Sequence, residues 1–256
     1  MGYETLRFEK KEHVLAIQIL GPDHDRQLIR LSNELDELCS EIIWDEEVWV
    51  VVITGEGERT FSFGIDVPQT ALGGDEDEAV RLYSVAGPIA KLEKPVIVAM
   101  DGDVIGQGLE LALACDIRIG TDRSFFGLPQ IKSGFIPWDG GTQRLSRLIG
   151  KGKALEMILG GEPVDAREAY RTGLISRIVP PKELIGAVMG IAHEMASKGP
   201  IALRYTKEAV CKGMDMTLEQ GLRFEADLYL LIHTTRDRTE GIQAFQQRRK
   251  PKFEGK

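Results

Sequence analysis

Apolar and polar positions along the chain alternate between a period near two and a period near 3.6. Val14-Leu15-Ala16-Ile17-Gln18-Ile19-Leu20 is a β-branched run of strand length, closed by Gly21-Pro22, and it predicts a strand. Apolar residues at 28, 31, 35, 38 and 42 then recur at helical spacing, which predicts a helix over 28–43. Val48-Trp49-Val50-Val51-Val52-Ile53 is apolar at both parities and stops at Thr54-Gly55. Both of its faces need cover, as in a buried parallel strand. Val80–Leu92 predicts a helix, Pro95–Met100 a second buried strand, Gly106–Cys115 a helix and Asp116–Gly120 a third such strand.

Strand and helix thus alternate through roughly the first 180 residues, which points to a layered α/β fold with right-handed crossovers. Pro180-Pro181 breaks the pattern. Beyond it the spacing predicts helices over Leu184–Lys198, Ile201–Gly213, Thr217–Leu231 and Thr239–Arg248. The chain divides on this reading into an α/β core, 1–195, and a C-terminal helical region, 196–256.

Composition narrows the function classes. Apolar residues make up 43% of the 256 and charged ones 28%, which excludes gross disorder. A formal net charge of −8 argues against a nucleic-acid partner, although Arg248-Arg249-Lys250 forms a local basic patch. Cys39, Cys115 and Cys211 form neither a zinc spacing nor an even disulfide set, which fits a reducing compartment. His13, His24, His193 and His233 share no metal-binding spacing, so no metal is expected. Met1–Thr5 has no apolar signal core, Leu6 stands where a myristoylation motif wants Ser or Thr, and every apolar run is too short to cross a bilayer. The expectation is a cytoplasmic protein without membrane association.

Three segments carry candidate chemistry. Thr60–Val67, just after a buried strand, places Gly64 in a turn that can aim the next main-chain N–H into a cleft. An ordinary strand-to-helix turn has the same look. Asp101–Ala112 runs from a strand through Gly106-Gln107-Gly108 into a helix, whose unpaired first-turn N–H groups suit a developing oxyanion. A dinucleotide fingerprint would need a third glycine and an acidic residue on a second strand. Within that helix Glu110 is surrounded by Leu109, Leu111, Ala112 and Leu113, so it is either a partner of the helix dipole or an acid/base with a raised pKa. Phe126–Leu145 is dense in Gly and Pro before a helix beginning near Gly140. Asp139 there fits that helix's N-cap, and Trp138 could simply cover the core. Ser62 has no histidine nearby, so a serine-hydrolase reading lacks support.

Taken together the three segments resemble the crotonase (enoyl-CoA hydratase/isomerase) superfamily over nearly the whole chain. Gly134-x-Ile136-Pro137-x-x-Gly140-Gly141-Thr142-Gln143-Arg144-Leu145 has the form of that family's most recognisable stretch. Ala154–Met157, Ala166–Val179, Glu240-Gly241-x-x-Ala244-Phe245 and Pro251-x-Phe253 continue the likeness. The resemblance implies a crotonase-like spiral of ββα units with a C-terminal helical trimerisation region, assembled as a homotrimer or a dimer of trimers. It implies an acyl-CoA thioester as substrate, with no cofactor beyond the coenzyme A that the substrate carries. The oxyanion hole would be the main-chain N–H groups of Ile65 and Gln107, the latter at a position where the family normally has Gly. Ser62, Phe63, Gly64, Asp66, Gly106 and Trp138 would line the substrate site, and Arg248 would lie near the nucleotide phosphates. Asp23-His24-Asp25-Arg26 replaces the family loop that touches the adenine.

Hydratases of this family use two glutamates. Glu110 matches one; Gln130 stands at the other and cannot titrate. Asp139 is the expected substitute, sharing acid and base roles with Glu110. Hydration or isomerisation of an unsaturated enoyl-CoA, linear or cyclic, is the leading expectation. Cleavage of a carbon–carbon bond in a β-dicarbonyl substrate is one alternative, and a non-catalytic CoA-binding member of the fold is another.

Overall fold

The computed structural model describes residues 2–20, 25–57, 61–63 and 83–256, with the side chains of 25–27, 62 and 63 left aside. The expectations that fall on Asp23 and His24, on Gly64, Ile65 and Asp66, on the segment 68–74 and on the acidic run 75–78 lie outside the described residues.

The chain opens with a hairpin, β1 (Leu6–Lys11) antiparallel to β2 (Val14–Ile19). Helix α1 (Asp25–Trp44) leads to β3 (Val50–Gly55), and β4 (Phe61–Phe63) precedes α2 (Ala86–Ala90). β5 (Val96–Met100), β6 (Asp103–Gly106) and α3 (Gln107–Ala114) follow, then β7 (Ile117–Thr121), β8 (Phe125–Gly127), a 3-10 turn at Pro129–Ser133 and α4 (Gly141–Ile149). After α5 (Lys151–Gly160) come β9 (Val164–Asp165), α6 (Ala166–Thr172) and β10 (Arg177–Val179). The helices α7 (Leu184–Ala196), α8 (Pro200–Gly213), α9 (Leu218–Ile232) and α10 (Arg236–Gln246) complete the chain.

The strands form two sheets, ordered β1-β2-β3-β5-β7-β10 and β4-β6-β8-β9. Pairing is parallel from β2 through β10 in the larger sheet, and parallel from β4 through β8 in the smaller. From β3 to α4, each turn adds a strand to the larger sheet, a strand to the smaller and then helix, as in β5-β6-α3. This is the crotonase spiral of ββα units with its C-terminal helices.

The apolar runs at both parities have a direct cause. Val51, Ile53, Val96, Val98 and Met100 face a core shared with α1, α2 and α3, while Val50, Val52, Ile97, Ala99 and Ile119 face Leu184, Val188, Ala192 and Ala196 of α7. Burying a side chain such as Val188 contributes about 2 kcal/mol, so a charge at that position would weaken the hold of α7 on the sheet. Behind α7, Lys207 of α8 reaches Asp116 Oδ2 at 2.8 Å and donates to the Lys94 carbonyl at 2.9 Å, fixing the following helices to the sheet. The chain end is tied back as well: the Asp237 carboxylate accepts the N–H groups of Glu254 and Gly255 at 2.8 and 2.9 Å.

Two local expectations are corrected. The helix expected over Val80–Leu92 is, among the described residues, only Ala86–Ala90. Asp103–Gly106, read as part of the approach to a helix, is a strand held between β4 and β8. At the junction of β6 and α3 the helix crosses β4 so closely that a Cβ on Gly108 would stand 1.7 Å from the Phe61 carbonyl oxygen. Only glycine fits there.

Candidate active site

Glu110 lies in the first turn of α3, among Leu109, Leu111 and Ala112, and is wholly buried. Its Oε1 accepts two main-chain N–H groups, from Asp139 and from Gly141, each at 2.8 Å. Its Oε2 accepts one bond, from Gln130 Nε2 at 3.3 Å. Burial pushes the carboxyl up to about 7, and the nearby Asp139 charge adds to this; the two amides and Arg144 pull the other way. The alternatives left open by the local sequence are thus separated by tertiary contacts. Glu110 serves helix termini, but its strongest perturbation is desolvation.

Asp139 does not cap its own helix, as the sequence suggested. Gly140 occupies the N-cap of α4 at φ 103° without a side-chain bond, and the first free amide, that of Gly141, is satisfied from across the site by Glu110. The Asp139 carboxylate turns away to the start of α2. Oδ1 accepts the Ser84 hydroxyl at 2.6 Å, and Oδ2 accepts the N–H groups of Val85 and Ala86 at 2.8 and 2.9 Å. Ser84 Oγ in turn accepts the Gly87 N–H at 2.8 Å. Burial raises the Asp139 pKa, opposed by the Ser84 hydroxyl, the two amides and Arg144. Arg144 donates to the Asp139 carbonyl at 2.9 Å and so fixes the turn from below.

Gln107 opens α3, so its main-chain N–H has no acceptor within its own helix. In the smaller sheet Phe63 pairs with Gly106, so the chain leaves β4 beside the residue that precedes Gln107. The Gln107 side chain is fully buried, and its Nε2 donates to the Tyr83 carbonyl at 3.4 Å. Gln130, on the 3-10 turn, is buried as well. Among the described residues, the buried side-chain polar atoms without a hydrogen-bond partner are Gln107 Oε1, Gln130 Oε1 and Trp138 Nε1. All three belong to segments singled out from the sequence. Such unpaired atoms cost about 1–3 kcal/mol each and concentrate where function requires them.

The structure therefore brings together Gln107, Glu110, Gln130 and Asp139, with Gly106 at the junction and Trp138 next to Asp139. Ser62 and Phe63 lie in β4. Arg248 is exposed just beyond α10 at φ 51° and shares no bond with this cluster among the described residues. Tyr83, Ser84 and Gly141 are site residues the sequence reading did not single out. Ser84 fell inside the helix expected over Val80–Leu92, and only the later start at Ala86 puts it ahead of the helix; the role of Gly141 depends wholly on contacts from distant residues. No group of three or more metal-ligating side chains forms among the described residues, and no helix there is long and apolar enough to cross a membrane.

The chain matches the family model described as enoyl-CoA hydratase/isomerase over residues 9–256. It is 35% identical to the crotonyl-CoA hydratase of Syntrophomonas wolfei, over 99% of each chain. It is 36% identical to the short-chain-enoyl-CoA hydratase of Clostridium acetobutylicum, over 98% of this chain and 97% of that one. Its fold superposes on a crystal structure of an enoyl-CoA hydratase from Bacillus anthracis with a TM-score of 0.89 and 36% identity, covering 99% and 100% of the two chains. With the ββα spiral and the buried glutamate at the head of α3, these matches place the chain in the enoyl-CoA hydratase/isomerase family of the crotonase superfamily.

Proposed function

We propose that the protein hydrates the conjugated double bond of an enoyl-CoA thioester, with Glu110 as the single proton-carrying side chain. The observation that carries this reading is the two-sided environment of Glu110. One oxygen is pinned by two amides, the other retains room for a proton, and the carboxyl titrates near 7, where a group both takes and returns a proton.

In the forward direction Glu110 accepts a proton from water as the water oxygen bonds to the β-carbon. The displaced electron pair moves through the double bond onto the thioester oxygen, forming an enolate. The main-chain N–H groups of residues 65 and 107 hold that charge, each donor contributing about 3 kcal/mol. Glu110 then returns its proton to the α-carbon. The same carboxyl moving a proton between carbons would isomerise a double bond with no water consumed, so both chemistries are open to this site. Gln130 has no proton to supply, and both Asp139 oxygens are committed to α2, so Asp139 acts here as a positioning residue. Carbon–carbon cleavage through Asp139 draws no support from this arrangement.

The test is turnover. Short linear and cyclic enoyl-CoA thioesters are offered to the wild-type protein and to Glu110→Gln, and loss of the conjugated chromophore is followed. Wild-type turnover abolished in the variant is the expected result. Coenzyme A binding by calorimetry without turnover of any thioester would overturn it in favour of a non-catalytic binder.

The assembly we propose is a homotrimer or a dimer of trimers. Leu218, Leu222, Tyr229 and Leu230 of α9 and Phe245 of α10 are exposed apolar side chains that a second copy would cover. Light scattering should give three or six times the 28.4 kDa of one chain; a mass of one chain at micromolar concentration would overturn it.

A further inference from the structure

The two oxygens of Glu110 have unequal surroundings. Oε1 has both available directions taken by rigid main-chain donors, and the N–H groups of residues 139 and 141 cannot turn away when the carboxyl gains a proton. The proton must therefore reside on Oε2, whose hydrogen-bond partner is the amide of Gln130. A protonated Oε2 no longer wants a donor there; it needs an acceptor. Gln130 has one, its own Oε1, buried and unpaired in the present arrangement. The charged or titratable groups acting on Glu110 are Asp139 and Arg144 from the α4 side, and neither exchanges a donor for an acceptor at Oε2.

We propose that Gln130 is a two-state positioning residue that turns its side-chain amide over when Glu110 changes protonation, donating Nε2–H to the carboxylate and accepting Oε2–H at the acid. The rotation exchanges two atoms of nearly equal size, so it needs no repacking. It holds Oε2 in place through both halves of a proton shuttle. A glutamate or an aliphatic side chain of the same length cannot do this without itself changing charge or leaving a group unpaired. In the unprotonated state the unpaired Gln130 Oε1 is the cost of keeping that second setting available.

The inference rests on Glu110 as the proton carrier but not on any particular substrate, so it is tested without turnover. Neutron diffraction from deuterium-exchanged crystals of the full chain, at pH 5 and at pH 9, distinguishes the amide nitrogen from its oxygen. Gln130 Oε1 facing a deuteron on Glu110 Oε2 at pH 5, and Gln130 Nε2 facing that oxygen at pH 9, is the expected result. Nε2 facing Oε2 at both values overturns it.

Gln130→Met gives an independent reading. It removes a partner from both protonation states, so the Glu110 carboxyl resonance should titrate within about one pH unit of the wild type. A fixed donor would be lost from the carboxylate alone, and the pKa would then rise by more than about one unit, which would overturn the proposal. If no thioester is turned over but the amide reverses with pH, the function fails and this inference stands.

Discussion

The main-chain N–H of Gly141 lies 2.8 Å from Glu110 Oε1 although 31 positions separate the two residues. The helix that begins at Gly141 has no side-chain cap of its own, and the α3 glutamate supplies one. The buried carboxyl is thus oriented by the same bond that completes the start of α4.

Gly141→Ala should damage this contact most directly. A Cβ there would lie 2.9 Å from Glu110 Oε1, 2.7 Å from Pro137 Cβ and 3.0 Å from Leu128 Cδ1. Overpacking of this kind costs about 1–3 kcal/mol, visible as a lower denaturation midpoint, and kcat should fall at least roughly tenfold as the carboxyl shifts. Unchanged kcat would separate catalysis from this bond.

The pKa of Glu110 sets the pH dependence. Its folded value of about 7 stands above the ordinary 4.5, chiefly through burial. With Glu110 as the proposed general base the ionised form is the active one, so kcat/KM should rise with pH to a plateau above about 7. Stability runs the opposite way. The folded state keeps this proton to higher pH than the unfolded chain, so the contribution to folding is complete below 4.5 and is lost as pH climbs through 7. Glu110→Gln should flatten that part of the stability profile and denature later than the wild type at pH 8.

Asp139→Asn separates the two faces of that residue. Its main-chain N–H still serves Glu110, but one side-chain oxygen becomes an NH2 facing the Ser84 hydroxyl or two amides. A loss of about 2–3 kcal/mol of stability is expected. Removing the like charge beside Glu110 should also lower the midpoint of the rising pH limb. A collapse of kcat at every pH, with stability unchanged, would instead make Asp139 an acid or base in the reaction.

Gln130→Glu puts a second carboxyl next to Glu110 Oε2. Two carboxyls sharing a site cannot both ionise cheaply, so one pKa rises strongly. The activity profile should change from a single rising limb to a bell, with hydration favoured over isomerisation in product analysis. A profile identical to the wild type would place position 130 away from the reacting atoms.

Much of the fold was legible because its larger elements bury complete faces. The helix expected over 28–43 is Asp25–Trp44, and the run at both parities, Val48–Ile53, overlaps β3, Val50–Gly55, with one helical layer on each side. The smaller sheet was not legible, since strands of two to four residues such as Val164–Asp165 and Phe125–Gly127 are too short to show a period. Nor was β1, where only Leu6 is buried. At the site, Glu110 could be singled out from its apolar neighbours. The direction of Asp139 could not, because its carboxylate answers to amides 53 and 54 positions away, and no local pattern encodes them.

Asp139 presents its amide to Glu110 and its carboxylate to the head of α2, so one residue is a joint between a helix and an acid. A displacement of α2 that drew Asp139 with it would loosen a donor from Glu110, making the carboxyl easier to protonate. By reciprocity, protonating Glu110 weakens the hold on α2 by the same free energy. The position of a five-residue helix and the acidity of the buried glutamate are therefore one coupled variable.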